Sequence, residues 1–273
     1  MAISRSWLTS VALVAALGAC TAMDAPPANP PAAEAGPAAG MATLDAAIAA
    51  AGGEAALSKV QELFWTGDAK VTADGATQDQ NAAVLVRPFS FYRVTTWGKG
   101  KEEKTSKTTQ AEHGKAWDVN RVSWIPMNEA GAKFENEQLG LFSLMLLTPL
   151  KDAGATVKAQ PDGADGTHAI QVMREGAPAA ELEFDASGKL VRAGYAGTDP
   201  KTGESVTEVY TFSGEIVSNG VKWPKHIAMT RNGSPAYEID LKTFEALPEK
   251  TVRPLMQTLQ YEPGGPPSGA DAG

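Results

Sequence analysis

Few side chains in this sequence could do chemistry near neutral pH: one cysteine, Cys20, and three histidines, His113, His168 and His226. Two histidines sharing a metal ion on a helix would stand four residues apart, and no pair here does. The spacings HExxH, CxxC, GxSxG, SxxK and GxxxxGK[ST] are all missing, which removes the common zinc, redox, acyl-transfer and phosphate-binding signatures. His168 alternates with Ile170 and Val172, so it is expected to point inward and is the leading candidate for a base. Carboxylates are numerous but scattered, and spacing alone does not bring two of them together. The sequence therefore assigns no catalytic residue, no metal ligand and no cofactor, and the expectation is that the chain is not an enzyme.

Cys20 has a different chemistry. It follows Leu17, Gly18 and Ala19 at the end of an apolar run from Trp7 to Ala16 that is too short to span a bilayer, with Arg5 ahead of it. This arrangement resembles the lipobox of bacterial lipoproteins, in which the thiol is acylated and the peptide before it removed. Residues 1–19 are thus expected to be a signal peptide and Cys20 the lipid attachment point, palmitate being one acyl group it would carry. Thr21 follows in place of an aspartate, which favours the outer membrane, lipid-anchored and facing the periplasm, over retention at the inner membrane. Each buried methylene contributes roughly 0.8 kcal/mol, so two or more chains anchor firmly.

The domain must stand away from that anchor. Residues 20–41 are rich in Ala and Pro, including Pro26, Pro27, Pro30, Pro31 and Pro37, and carry no periodic apolar face. They are expected to form a tether, reaching roughly 50–60 Å if extended at about 3.1 Å per residue. Residues 263–273 have the same texture and read as a disordered tail. Between them, residues 42–262 suffice for one domain with a sizeable core. The net charge is −8, and the one apparent basic concentration, Lys99, Lys101, Lys104 and Lys107, is diluted by Glu102 and Glu103. Nucleic acid is not expected as a partner.

Within the domain, Thr43 to Val60 reads as helix, with Thr43 as N-cap and Leu44, Ile48, Leu57 and Val60 apolar, interrupted at Gly52-Gly53. From Leu63 onward short β-branched and aromatic runs alternate with turns. Asn219-Gly220 and Asn232-Gly233 predict tight hairpins joining Glu215–Ser218 to Val221 onward and Ile227–Arg231 to Ser234–Leu241. Ala186-Ser187-Gly188 predicts another between Phe184 and Leu190. Strands so closely joined pair antiparallel. The stretch Phe134 to Leu150 breaks the pattern: it predicts a helix ending at Thr148, apolar on nearly every side in its second half. Such a helix needs cover on several faces, and a concave sheet supplies it. The predicted class is α+β, mainly β: a strongly curved antiparallel sheet forming an incomplete barrel around one or more helices.

Several short motifs resemble the lipoprotein-localisation superfamily, the LolA/LolB-like carrier and its outer-membrane receptor. They are the opening Ala50 to Val71, Arg87-Pro88 with Phe91-Tyr92-Arg93-Val94, His113-Gly114-Lys115-Ala116-Trp117, and Asn219-Gly220-Val221-Lys222-Trp223-Pro224-Lys225. The resemblance spans most of Thr43 to Pro248. It implies an unclosed β-barrel around helices, enclosing an apolar cavity that takes acyl chains of a lipid or an acylated protein and assists transfer or sorting. The residues expected to line it are Trp65, Phe91, Trp97, Trp117, Leu141, Phe142, Met145 and Leu146. The alternative is a non-catalytic structural or assembly lipoprotein with a packed barrel, binding a periplasmic protein at a free sheet edge. A hydrolase built on His168 and scattered acids stands third.

Overall fold

The computed structural model describes residues 36–73, 75–100, 106–120, 123–163 and 165–251. Cys20, the expected signal peptide and the expected tail lie outside the described residues, as do 101–105 of the lysine-containing loop.

Two helices lead into the sheet: α1 (Pro37–Ala50) and α2 (Glu54–Leu57). The break at Gly52-Gly53 is as expected, both glycines having positive φ. The start is not: α1 opens at Pro37, inside the stretch assigned to the tether, because proline's fixed φ suits a first helical turn. The ordered domain therefore begins before residue 42.

A long run of hairpins follows: β1 (Glu62–Ala73), β2 (Ala76–Arg87), β3 (Phe91–Gly98), β4 (Lys107–Glu112), β5 (Lys115–Val119) and β6 (Trp124–Pro126). Helix α3 (Glu129–Leu144) and a 3-10 turn (Thr148–Lys151) separate these from β7 (Thr156–Ala159), β8 (His168–Met173), β9 (Ala180–Phe184), β10 (Leu190–Thr198) and β11 (Ser205–Ser213). The chain closes with β12 (Ile216–Ser218), β13 (Val221–Trp223), β14 (His226–Arg231) and β15 (Ser234–Leu247).

Thirteen strands form one antiparallel sheet in the order β6-β5-β4-β3-β2-β1-β15-β14-β11-β10-β9-β8-β7, and β12 and β13 pair separately. The predicted hairpins are present, with Asn219, Gly220, Asn232 and Gly233 all at positive φ, which two-residue turns require. Because β15 returns to pair with β1, the halves before and after α3 join into one surface. The sheet does not close: β6 and β7 are its two ends. Register shifts at Thr66/Gly67, Leu190/Arg192 and Met229/Thr230 mark bulges, which bend and twist a sheet. The incomplete barrel expected from the sequence is the observed architecture.

Helix α3 lies in its hollow, packed against β2 to β5 on one side and β10 on the other. It starts at Glu129, earlier than expected, capped by the Asn128 side chain, which accepts from Gly131 N at 2.8 Å. It also ends earlier, at Leu144; Leu147 then takes φ 62° and turns the chain into the Thr148–Lys151 turn. The apolar run still does what its composition demands, since Leu139, Leu141, Phe142, Leu144, Met145, Leu146 and Leu147 are all buried. The loop after β8 seats the helix. A Cβ at Gly140 would lie 2.6 Å from Ala177 Cα, so only glycine admits this approach.

Candidate ligand cavity

Alternation along the strands decides what reaches the hollow. Tyr92, Val94 and Thr96 of β3 face α3, as do Trp65 of β1, Tyr210 of β11, Ile227 and Met229 of β14, and Tyr237 and Ile239 of β15. Between these side chains and α3 lies a cavity of about 450 Å³. That is within the size range of pockets that enclose small ligands. On the helix, Glu135, Gln138 and Phe142 stand at i, i+3 and i+7, so they form one stripe along the cavity wall.

Phe142 is the hub of the aromatic floor. Trp65 meets it edge-on at 5.3 Å between ring centroids, Tyr92 stacks at 6.0 Å and Tyr210 approaches at 6.1 Å. Such pairs add to the area term because the ring edge is positive and the face negative. A second, smaller cavity of about 240 Å³ is lined by Met145, Leu147, Ala47 and Trp223 among others.

Of the residues expected to line a cavity, Trp65, Leu141, Phe142, Met145 and Leu146 belong to one continuous core. Trp65 and Phe142 line the larger cavity and Met145 the smaller; Leu141 and Leu146 are packed solid behind them. Phe91 and Trp97 do not join this core. They sit with Phe64, Ala83 and Leu85 in a separate apolar cluster, having the opposite strand parity from Tyr92, Val94 and Thr96. Trp117 alternates with the core residue Ala116 and packs edge-on against Trp124 at 6.2 Å, so it too is turned away from the cavity. Sequence reasoning missed Tyr92, Tyr210 and Tyr237, although the last two stand in alternating runs with Phe212 and Ile239.

A polar network closes one side. Glu208, fully buried, accepts from Tyr195 OH at 2.6 Å and Gln138 Nε2 at 3.0 Å, and Arg231 donates to its other oxygen from Nε and Nη2 at 3.0 and 2.8 Å. Tyr210 OH donates to Gln138 Oε1. Burial pushes the phenols of Tyr195 and Tyr210 well above their ordinary range, so both remain hydrogen-bond donors. Glu137 accepts from Thr198 N at 2.8 Å and Thr198 Oγ1 at 2.9 Å, while burial still raises its carboxyl. Glu135 differs: it has no hydrogen-bond or ion-pair partner among the described residues, and it borders the cavity. Burial, and then the charges of Asp118 and Glu208, push its carboxyl up to about 8.

The histidines do not converge on a site. His168, expected to point inward, is exposed at the start of β8, with Nδ1 2.8 Å from Asp162 Oδ1. His226 lies 2.8 Å from Asp240 Oδ1, near Glu238, in a group whose ligand atoms fall within 4.8 Å of one another.

The hollow and its helix define the class: an open antiparallel half-barrel enclosing an apolar cavity. The structure is similar to a LolA superfamily protein from Nitrosomonas europaea, at 9% identity and a TM-score of 0.46 over 70% of this chain and 91% of that one. It is also similar to a domain described as an outer-membrane lipoprotein-sorting protein from Vibrio parahaemolyticus, at 9% identity and 0.49 over 76% and 92%. A DUF1329 family protein from Desulfovibrio piger gives 12% identity and 0.48 over 76% and 92%. No protein-family model matches the chain, and no curated protein matches it in sequence.

Proposed function

We propose that this chain is a non-enzymatic envelope lipoprotein that binds the acyl chain of a lipid or acylated protein and assists its transfer or sorting. In this reading it is anchored to the outer membrane through lipidated Cys20 and faces the periplasm. The observation that supports it is the cavity of about 450 Å³ between α3 and the concave sheet, with Trp65, Tyr92, Phe142, Ile227 and Ile239 in its wall. A packed interior would have favoured a surface-binding module instead. An acyl chain of about fourteen carbons contributes on the order of 10 kcal/mol gross when buried, at roughly 0.8 kcal/mol per methylene. Association and ordering take back several kcal/mol, which leaves an affinity compatible with handing the chain on.

The test is to purify the chain after residue 20, extract it with organic solvent and measure the extract by mass spectrometry. Co-purified lipid or acylated peptide, or saturable uptake of a fluorescent fatty acid, is the expected result. A clean protein that takes up no probe overturns the proposal and turns attention to a protein partner.

A further inference from the structure

We infer that Glu135 is the head-group anchor of the larger cavity, and that the ligand is an amphiphile with an apolar tail and an ammonium head. The inference rests on the acyl-chain reading above and adds the chemistry of the head.

Three observations point to it. The Glu135 carboxyl borders the cavity and has no partner among the described residues, whereas the neighbouring Glu137 and Glu208 are both satisfied. Its surroundings are negative: Asp118 of β5 and Glu208 of β11 both act on it, and Glu208 has already engaged Arg231 of β14. Lys107 of β4 borders the same cavity but is exposed to water, which weakens its opposition to a second cation. On its own helix, Lys133 lies 3.9 Å from Glu137.

Aromatic rings line the same cavity as the carboxyl, and the Glu135 charge acts on Tyr92. Tyr92, Tyr210 and Tyr237 border the cavity, and so does Phe134, whose face already carries the Arg231 guanidinium at 4.9 Å. Rings beside a carboxyl suit an ammonium, because each ring face attracts a cation and the carboxylate completes the charge. Burial raises the phenols of Tyr92, Tyr210 and Tyr237, so none competes as an anion. Glu135 and Phe142 are seven residues apart on one helix face, about 10 Å along the axis, so a head at Glu135 lays its tail on the Phe142 floor. The raised carboxyl has a consequence: binding a cation ionises it and releases a proton, so affinity for a fixed cation rises with pH toward about 8.

Isothermal titration of the chain after residue 20 with decyltrimethylammonium, decanoate and decanol separates head from tail, because the quaternary probe carries a charge that does not titrate. At pH 9 the ammonium is expected to bind at least about tenfold tighter than decanoate, and to lose at least about tenfold between pH 9 and pH 6. Glu135→Gln should remove both the preference and the pH dependence while leaving decanol unchanged, which also shows that the variant folds. If decanol binds but the ammonium is no tighter than decanoate, or the preference survives Glu135→Gln, the head-group inference falls and the cavity reading stands. If no probe binds, both fall.

Discussion

Arg231 and Glu208 meet through two hydrogen bonds on a single carboxylate oxygen, at 3.0 and 2.8 Å, with Glu208 fully buried and the guanidinium side chain 24% exposed. The pair ties β14 to β11 beside the cavity while leaving the other Glu208 oxygen to Tyr195 and Gln138.

Removing the cation strands a buried charge. Arg231→Met is expected to destabilise the fold by about 3 kcal/mol, and Arg231→Met combined with Glu208→Gln to recover at least half of that. Urea denaturation of the three proteins measures it; a single variant as stable as the parent would mean that water reaches Glu208.

Filling the cavity should block it without breaking the sheet. Val94 borders the open space and is only half-buried, so Val94→Trp places an indole where ligand would lie. Fatty-acid uptake should fall at least about tenfold while the thermal midpoint moves by only a few degrees, since a larger side chain entering empty space meets little strain. Unchanged uptake would move the binding site elsewhere, the smaller cavity beside Met145 being next to test.

Glu135 makes the fold less stable as pH rises. Its carboxyl titrates near its ordinary value in the unfolded chain and at about 8 in the fold. Below pH 4 both states are protonated and there is no effect. Between about 4.5 and 8 the unfolded state ionises first, so stability drains away as pH rises, by up to about 5 kcal/mol, and then levels off. Glu135→Gln should match the parent at pH 4 and exceed it at pH 9. Equal differences at both values would remove the titration argument.

Cys20 supplies a prediction independent of the cavity. Cys20→Ser should abolish incorporation of radiolabelled palmitate and shift the protein from the outer-membrane fraction to the soluble periplasm, with the circular dichroism of the purified domain unchanged. Labelling that persists would place acylation at another residue.

The antiparallel hairpins were legible because Asn219-Gly220 and Asn232-Gly233 leave the backbone little choice. The buried run from Leu139 to Leu147 was equally plain, since Ser143 is its one polar side chain and satisfies itself on Leu139 O at 2.6 Å. The orientation of β3 was not legible. Phe91 and Tyr92 are adjacent aromatics, and both faces of this part of the sheet carry an apolar cluster, so alternation gives the two sets without saying which one is concave. The same ambiguity turned Trp97 and Trp117 the other way. Glu135 left no trace either: among Glu137, Asn136 and Lys133 it reads as the polar side of an amphipathic helix. Only the wrap of the sheet past that side makes it face a cavity.

The sheet stops at β6 and β7 instead of joining them. In a closed barrel the bore is fixed by strand number and shear, because every hydrogen bond around the ring must be made at once. Here no such sum has to close, and the width of the hollow is set by what stands inside it, above all α3 with Phe142 between Trp65, Tyr92 and Tyr210. Under the proposed function, guests of different girth would be met by small adjustments of twist spread over the strands: the container is sized by its contents.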